Sequence, residues 1–186
     1  MLEKVVFLDR DGVINQDSPA YIKTWEEFEF LPGSLGAIAR LTRNNYTIIV
    51  ITNQSIIGRG MADLKTLSHI HRRMSETVAA HGGRIHDIFF CPHHPEDGCE
   101  CRKPMPGLIF RARDTHDFDL SRAVMVGDSA KDIECARNAG CAANILVSTG
   151  NGLSAFQTLS EKGVLPDHQA ADLEAAAHWI LRHETP

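Results

Sequence analysis

Two hydrophobic rhythms alternate along the chain. Short runs at residues 4–8, 46–51, 85–90, 123–126 and 142–147 are rich in β-branched and aromatic residues and read as strands. Such runs suit the middle of a parallel sheet, where both faces are covered. Between them, apolar residues recur with helical spacing. Leu64, Leu67, Ile70, Met74 and Val78 share one face of a segment over 63–81, which starts near Asp63 and stops at Gly82-Gly83. Its histidines His69, His71 and His81 read as solvated. Further helices are expected over 33–43, 106–116, from about 132 to 138, and in an otherwise turn-rich tail over 153–162 and 172–183. Strands alternating with helices predict an α/β fold, a three-layer, Rossmann-like, doubly wound parallel sheet with right-handed crossovers. No repeat, low-complexity tract or linker interrupts it, so residues 1–186 read as one domain.

Four strands in succession end in polar motifs: Asp9-Arg10-Asp11-Gly12, Thr52-Asn53-Gln54-Ser55, a cysteine loop running to Lys103, and Gly127-Asp128 with Asp132. In a parallel sheet these ends share one edge, where ligands bind. Two carboxylates two residues apart are costly unless a cation lies between them or one takes a proton. A calcium loop is excluded, because its fifth and twelfth positions hold Val13 and Ala20. Alone, Lys103 is an exposed lysine, Thr52 a turn residue, and Asp128 and Asp132 residues favourable to a helix start. Together, three carboxylates (Asp9, Asp11, Asp128) suit Mg²⁺, while Thr52, Lys103 and backbone N–H groups offset phosphate charge. That chemistry is phosphoryl transfer.

Composition narrows the field. The 186 residues carry a net charge of −5 with no Lys/Arg run, which argues against nucleic acid and anionic membrane as partners. No apolar run approaches a membrane span and no signal-peptide pattern opens the chain, so a cytoplasmic location is expected. Residues 13–32, which include the aromatic-acidic stretch Trp25 to Phe30, form a long excursion after the first strand and read as a flap, the alternative being a surface loop. Five cysteines, an odd number, speak against a disulfide framework. Cys91, Cys99 and Cys101 cluster with His93 and His94 and point to metal. Three thiolates and one imidazole make a closed tetrahedral set for structural Zn²⁺. Cys135 and Cys141 read as small buried apolar residues.

In order, Asp9-x-Asp11-Gly12, Thr52-Asn53, Lys103 and Gly127-Asp128-x-x-x-Asp132 resemble the four motifs of the haloacid dehalogenase superfamily of phosphatases, over residues 4 to about 140. Val13 departs from the threonine that many members have there. The resemblance implies a haloacid dehalogenase-like fold without a large cap domain, with Asp9 as nucleophile and Asp11 as general acid/base. It implies Mg²⁺ held by the Asp9 carboxylate, the Asp11 backbone carbonyl and Asp128. Thr52 and Lys103 would bind the transferring phosphoryl group, and Asp132 would orient this shell.

Asp-Arg-Asp-Gly-x-Ile-Asn at 9–15, Thr-Asn-Gln-Ser at 52–55, Cys-Pro-His-His-Pro at 91–95 and Cys-x-Cys-Arg-Lys-Pro at 99–104 narrow the resemblance to the capless heptose-bisphosphate phosphatase family. That family implies a small sugar bisphosphate as substrate, with Asp17, Tyr21, Thr52, Asn53, Gln54, Ser55, Arg102 and Lys103 around it. Arg102 would hold the retained phosphate, a role that suits its bidentate fork. It also implies zinc on Cys91, His93, Cys99 and Cys101, pinning loop 91–103 and so fixing Arg102 and Lys103. Ile56-Ile57-Gly58 departs from the small-residue run common in the family, and the zinc loop is short. The rivals are histidinol-phosphate phosphatase, a nucleic-acid 3′-phosphatase, and a zinc-stabilised interaction module without chemistry. A capless site with short loops is compatible with a monomer.

Overall fold

The apolar run at 5–8 has no polar side chain to offer water, and the chain buries it at the centre of a sheet. In the computed structural model, which describes Leu2 and residues 4–183, the strands are β1 (Val5–Leu8), β2 (Thr47–Asn53), β3 (Ile85–Cys91), β4 (Val124–Gly127), β5 (Ala143–Val147) and β6 (His168–Ala170). Their order is β3-β2-β1-β4-β5-β6, all parallel. The order reverses direction between β1 and β4, whose registers bring Leu8 beside Val126. This switch point opens a crevice at the C-terminal ends of those two strands.

Strand alternation divides the core. Val6 and Leu8 face one side with Ile48, Val50, Val124 and Val126, covered by α1 (Ser34–Arg43), α2 (Leu64–Ala80) and α6 (Leu173–Arg182). Val5 and Phe7 face the other with Ile49, Ile51 and Met125, under α3 (Gly107–His116) and α4 (Ala130–Ala139). α5 (Gly152–Glu161) packs beside α4 through Ile133, Leu146, Ala155 and Leu159. The expected three layers are present, and the described residues form no large cap domain. Among the described residues no helix is long and apolar enough to cross a membrane.

Three of the α-helices carry side-chain caps at their starts. Asp63 accepts from the Thr66 N–H at 2.7 Å, Asp172 accepts from Ala175 at 2.8 Å, and Ser129 with Asp132 forms a capping box on α4. Each such cap contributes about 1 kcal/mol.

Two expectations need correction. The turn-rich tail contains a sixth strand, β6, whose three residues carry no apolar pattern and are strand only because they pair with β5, Ile145 beside His168. His71 is buried, not solvated. It lies four residues after Leu67 and three before Met74, on the same inward face of α2.

The 13–32 segment is anchored in the core. Val13, Ile14, Ile22 and Phe28 are buried, and Trp25, Phe28 and Phe30 cluster with ring centroids 5.0 to 6.4 Å apart, Trp25 stacked on Phe28 and Phe30 edge-on to both. Backbone bonds from Gln16 N–H to Glu29 O and from Leu31 N–H to Ile14 O tie its two ends together.

Candidate active site and metal cluster

Asp9 continues β1, and its N–H bonds to Val126 O at 3.0 Å, so the pairing of β1 with β4 carries the carboxylate to the switch point. Lys103 Nζ lies 2.9 Å from Asp9 Oδ1 and 2.6 Å from Asp132 Oδ1, and donates to Ile51 O at 2.8 Å. Burial alone would depress this lysine, but Asp132 and Asp9 hold its pKa above the usual range. Asp9, Asp128 and Asp132 bring carboxylate oxygens within 4.8 Å of one another. Burial first, then mutual repulsion, pushes Asp9 up to about 7 and Asp128 up to about 8.

Fully ionised, the three carboxylates facing one ammonium would leave an excess of two negative charges, which a divalent cation would cancel. The oxygens are not equally available. Asp132 is committed to Lys103 and to the Ser129 N–H and hydroxyl. Asp9 Oδ1 accepts from Arg10 N–H and Lys103, and Asp128 Oδ2 accepts from the Asn151 backbone and side-chain N–H groups. Among the described residues, Asp9 Oδ2 and Asp128 Oδ1 are left for a ligand. This donor set fits Mg²⁺, which takes few protein oxygens and completes its shell with water and phosphate.

Gly12 and Gly150 both back onto Asp128, each with a positive φ (+82° and +57°), and a methyl on either would collide with Asp128 Oδ2. Gly12→Ala is expected to displace that carboxylate and weaken Mg²⁺ binding about 10-fold or more, as read by calorimetric titration.

Asp11 shares the cleft but not the carboxylate cluster. Arg10 grips it through Nε and Nη2 at 2.9 to 3.2 Å, while Asn15 Nδ2 and Gln54 Nε2 each donate at 2.9 Å. Burial raises its pKa, but the Arg10 charge and these hydrogen bonds outweigh burial and hold the carboxyl below the usual range. Thr52 is buried beside it and accepts from Gln54 at 2.9 Å.

The other candidates fall into two groups. Asp17, Tyr21, Asn53, Ser55 and Arg102 line a cleft of about 500 Å³ together with Asp9, Asp11, Thr52, Lys103 and Asp128. Gln54 is buried behind it, holding Asp11 and Thr52. Asn53 also has a structural tie: its side-chain amide accepts from Lys103 N–H and donates to Lys103 O, clamping the lysine backbone to the end of β2.

Sequence reasoning missed Arg59, Lys131 and Asn151, which also line the cleft. Arg59 lies over the Tyr21 ring at 5.5 Å, and Asn151 Nδ2 bridges Asp17 and Asp128. The signal was available: each lies in the loop or helix start that follows the C-terminal end of a predicted strand. Arg10 was missed too, and no pattern marks it.

Beside the cleft, Cys91, His93, Cys99 and Cys101 converge. Their recorded Sγ and Nδ1 separations run from 3.2 to 3.5 Å. A tetrahedral Zn²⁺ with ordinary bond lengths needs ligand–ligand edges of about 3.5 to 3.8 Å, so the pocket fits that ion with a slight expansion. His94 turns instead toward Glu96. The loop is tied to the segment after β2 by Gln54 N–H to Cys91 O and Gly58 N–H to Pro92 O. Cys135 is fully buried, as expected, whereas Cys141 is partly exposed; burial pushes both thiols up to about 12.

The fold and site have close counterparts. Residues 100–176 match the HAD-hydrolase-like family model. The D-glycero-beta-D-manno-heptose-1,7-bisphosphate 7-phosphatase of Bordetella bronchiseptica is 47% identical over 181 residues, covering 96% of this chain and 98% of that protein. The protein of the same name from Pseudomonas aeruginosa is 46% identical, over 98% of this chain and all of that one. The crystal structure of the B. bronchiseptica D,D-heptose 1,7-bisphosphate phosphatase complexed with magnesium and phosphate superposes with a TM-score of 0.89 at 46% identity, covering 96% of this chain and 98% of that one.

Proposed function

The chain belongs to the D-glycero-D-manno-heptose-1,7-bisphosphate 7-phosphatase family of haloacid dehalogenase-like phosphoric monoester hydrolases, and we propose that it removes the 7-phosphate of that sugar bisphosphate through an aspartyl-phosphate. The observation that carries this reading is the pairing of Asp9 with Lys103 at the floor of a cleft that Asp11 also lines.

In the proposed reaction an Asp9 carboxylate oxygen attacks the 7-phosphorus while the bond to the sugar O7 breaks. Asp11, which is held ionised in the substrate-free site, takes up a proton from water in the cleft and gives it to O7 as the sugar leaves. Water then attacks the phosphorus of the aspartyl-phosphate, Asp11 takes the water's proton, and the bond to Asp9 breaks to release inorganic phosphate. Lys103 and Thr52 hold the phosphoryl oxygens between these steps. Mg²⁺, held by Asp9, the Asp11 carbonyl and Asp128, would cancel the excess negative charge and draw electron density from the phosphoryl group. Asp132 orients Lys103 by its 2.6 Å ion pair.

Arg102, one of whose buried guanidinium nitrogens has no partner among the described residues, suits the 1-phosphate that stays on the sugar. Asp17 and Tyr21, from the proposed 13–32 flap, and Ser55 would face the sugar hydroxyls. Asn53 and Gln54 act by clamping Lys103 and Asp11. The zinc set fits a structural ion: four protein ligands leave no open position for water.

The test is phosphate release under Mg²⁺ from both anomers of heptose 1,7-bisphosphate and from histidinol phosphate. The expected result is release of one phosphate from the heptose, leaving heptose 1-phosphate. Faster turnover of histidinol phosphate would overturn the substrate and keep the chemistry, and no release from either would overturn both.

A further inference from the structure

Arg10 is the largest side chain fully removed from water, 1% exposed, and it lies between the two aspartates without facing the cleft. A buried guanidinium is expensive unless its charge and its N–H groups are matched. Here the matching is one-sided. Nε and Nη2 go to the Asp11 carboxylate. Nη1 lies 3.4 Å from His71 Nε2, and the guanidinium carbon is 5.9 Å from the centre of the Phe28 ring. Since a guanidinium has no acceptor, the His71 nitrogen facing it is the unprotonated one. Burial and the Arg10 charge keep this imidazole neutral, with a pKa near 3. Phe90 lies edge-on to the imidazole, with ring centroids 5.7 Å apart.

If Arg10 only filled space, an apolar side chain of similar volume would serve without the desolvation cost. The arrangement instead fixes a plane. His71, from α2, and Phe28, from the segment over 13–32, hold the guanidinium; its fork then holds both Asp11 oxygens, to which Asn15 and Gln54 also donate, while Asp11 still lines the cleft. We propose that Arg10, braced by His71, is a positioning residue for the Asp11 carboxyl, setting the orientation from which Asp11 exchanges protons during phosphoryl transfer. The inference rests on the Asp11 role given under Proposed function. It adds that the geometry of this acid is delivered by a side chain that never touches substrate.

Leaving-group dependence provides the test, because an alkoxide needs a proton to depart and a nitrophenolate does not. The first-step rate is measured by rapid quench with heptose 1,7-bisphosphate, and as the burst of nitrophenolate from p-nitrophenyl phosphate, both under saturating Mg²⁺. Arg10→Lys keeps the charge but loses the fork. It is expected to slow the step on the heptose by about 10- to 100-fold, with KM within about threefold, and on the aryl phosphate by less than about threefold.

Should Arg10→Lys fail to fold, as judged by circular dichroism, His71→Leu decides the question. It touches nothing in the cleft and is expected to slow the heptose step about 3- to 10-fold with the same selectivity. Equal slowing on the two substrates, or none, in the deciding variant overturns the proposal. Asp11→Asn is run beside them. If it discriminates between the substrates while the Arg10 or His71 variant does not, the positioning role alone falls. If Asp11→Asn itself slows both equally, the acid role of Asp11 falls and the inference with it.

Discussion

Asp9→Asn is expected to lower phosphate release about 10⁴-fold or more, because the amide cannot form the aspartyl-phosphate and no other carboxylate in the cluster can take its place. Asp128 is held by Asn151 and Asp132 is spent on Lys103 and Ser129, so neither is free to turn toward the substrate. The same substitution should not unfold the protein. Asp9 is one of three crowded carboxylates, and its raised pKa means that its ionised form costs stability as pH rises through the unfolded value near 3.8 toward about 7. Removing that charge leaves Lys103 paired with Asp132. The metal-free variant should therefore melt no lower than the metal-free parent at neutral pH. Phosphate release and a thermal melt measured together check both halves; an active Asp9→Asn protein would sink the nucleophile assignment.

The second large effect concerns the cysteine loop. Cys99→Ser should abolish stoichiometric zinc and lower stability by roughly 2–5 kcal/mol, since the ion's binding energy is folding energy for a segment without regular structure. Elemental analysis and denaturant unfolding read the two quantities. Activity should fall as well. Cys101 is followed directly by Arg102 and Lys103, and the Lys103 backbone is clamped to Asn53 on one side only. Loosening the loop at Cys99 frees Arg102 and leaves the lysine to the Asn53 clamp and to its side-chain bonds with Asp9, Asp132 and Ile51 O. A variant with unchanged zinc content and unchanged stability would show that the four residues are not a metal site.

The periodic parts of the fold were legible from the chain. Among the described residues, five of the six strands and all six α-helices fall where the runs and faces predicted them, because consecutive or periodic apolar residues leave few alternatives to burial. β6 was not legible: His168, Gln169 and Ala170 have no strand character apart from their partner in β5. The site was legible in proportion to how local its chemistry is. Asp9 and Asp11, two residues apart, announce themselves, as do three cysteines within eleven residues.

The environments of these groups were a different matter. His71 reaches Arg10 across 61 residues, and Asn151 reaches Asp17 across 134. Neither pair has a spacing that any local rule could detect. Periodicity did place His71 on the buried face of α2, yet histidine is polar enough that the inward position was overlooked.

From residue types and their order alone came the parallel α/β architecture, the shared sheet edge and the inventory of carboxylates, lysine and thiolates, since backbone geometry forces successive parallel strands to end on the same side. Folding decided which oxygens stay free. It spent Asp132 on Lys103 and Ser129, turned the Asp11 side chain to Arg10, Asn15 and Gln54, and set Gly12 and Gly150 against Asp128. Hydrogen-bond partners and charge balance depend on distances between remote segments, and those distances exist only once the sheet has brought its strand ends together.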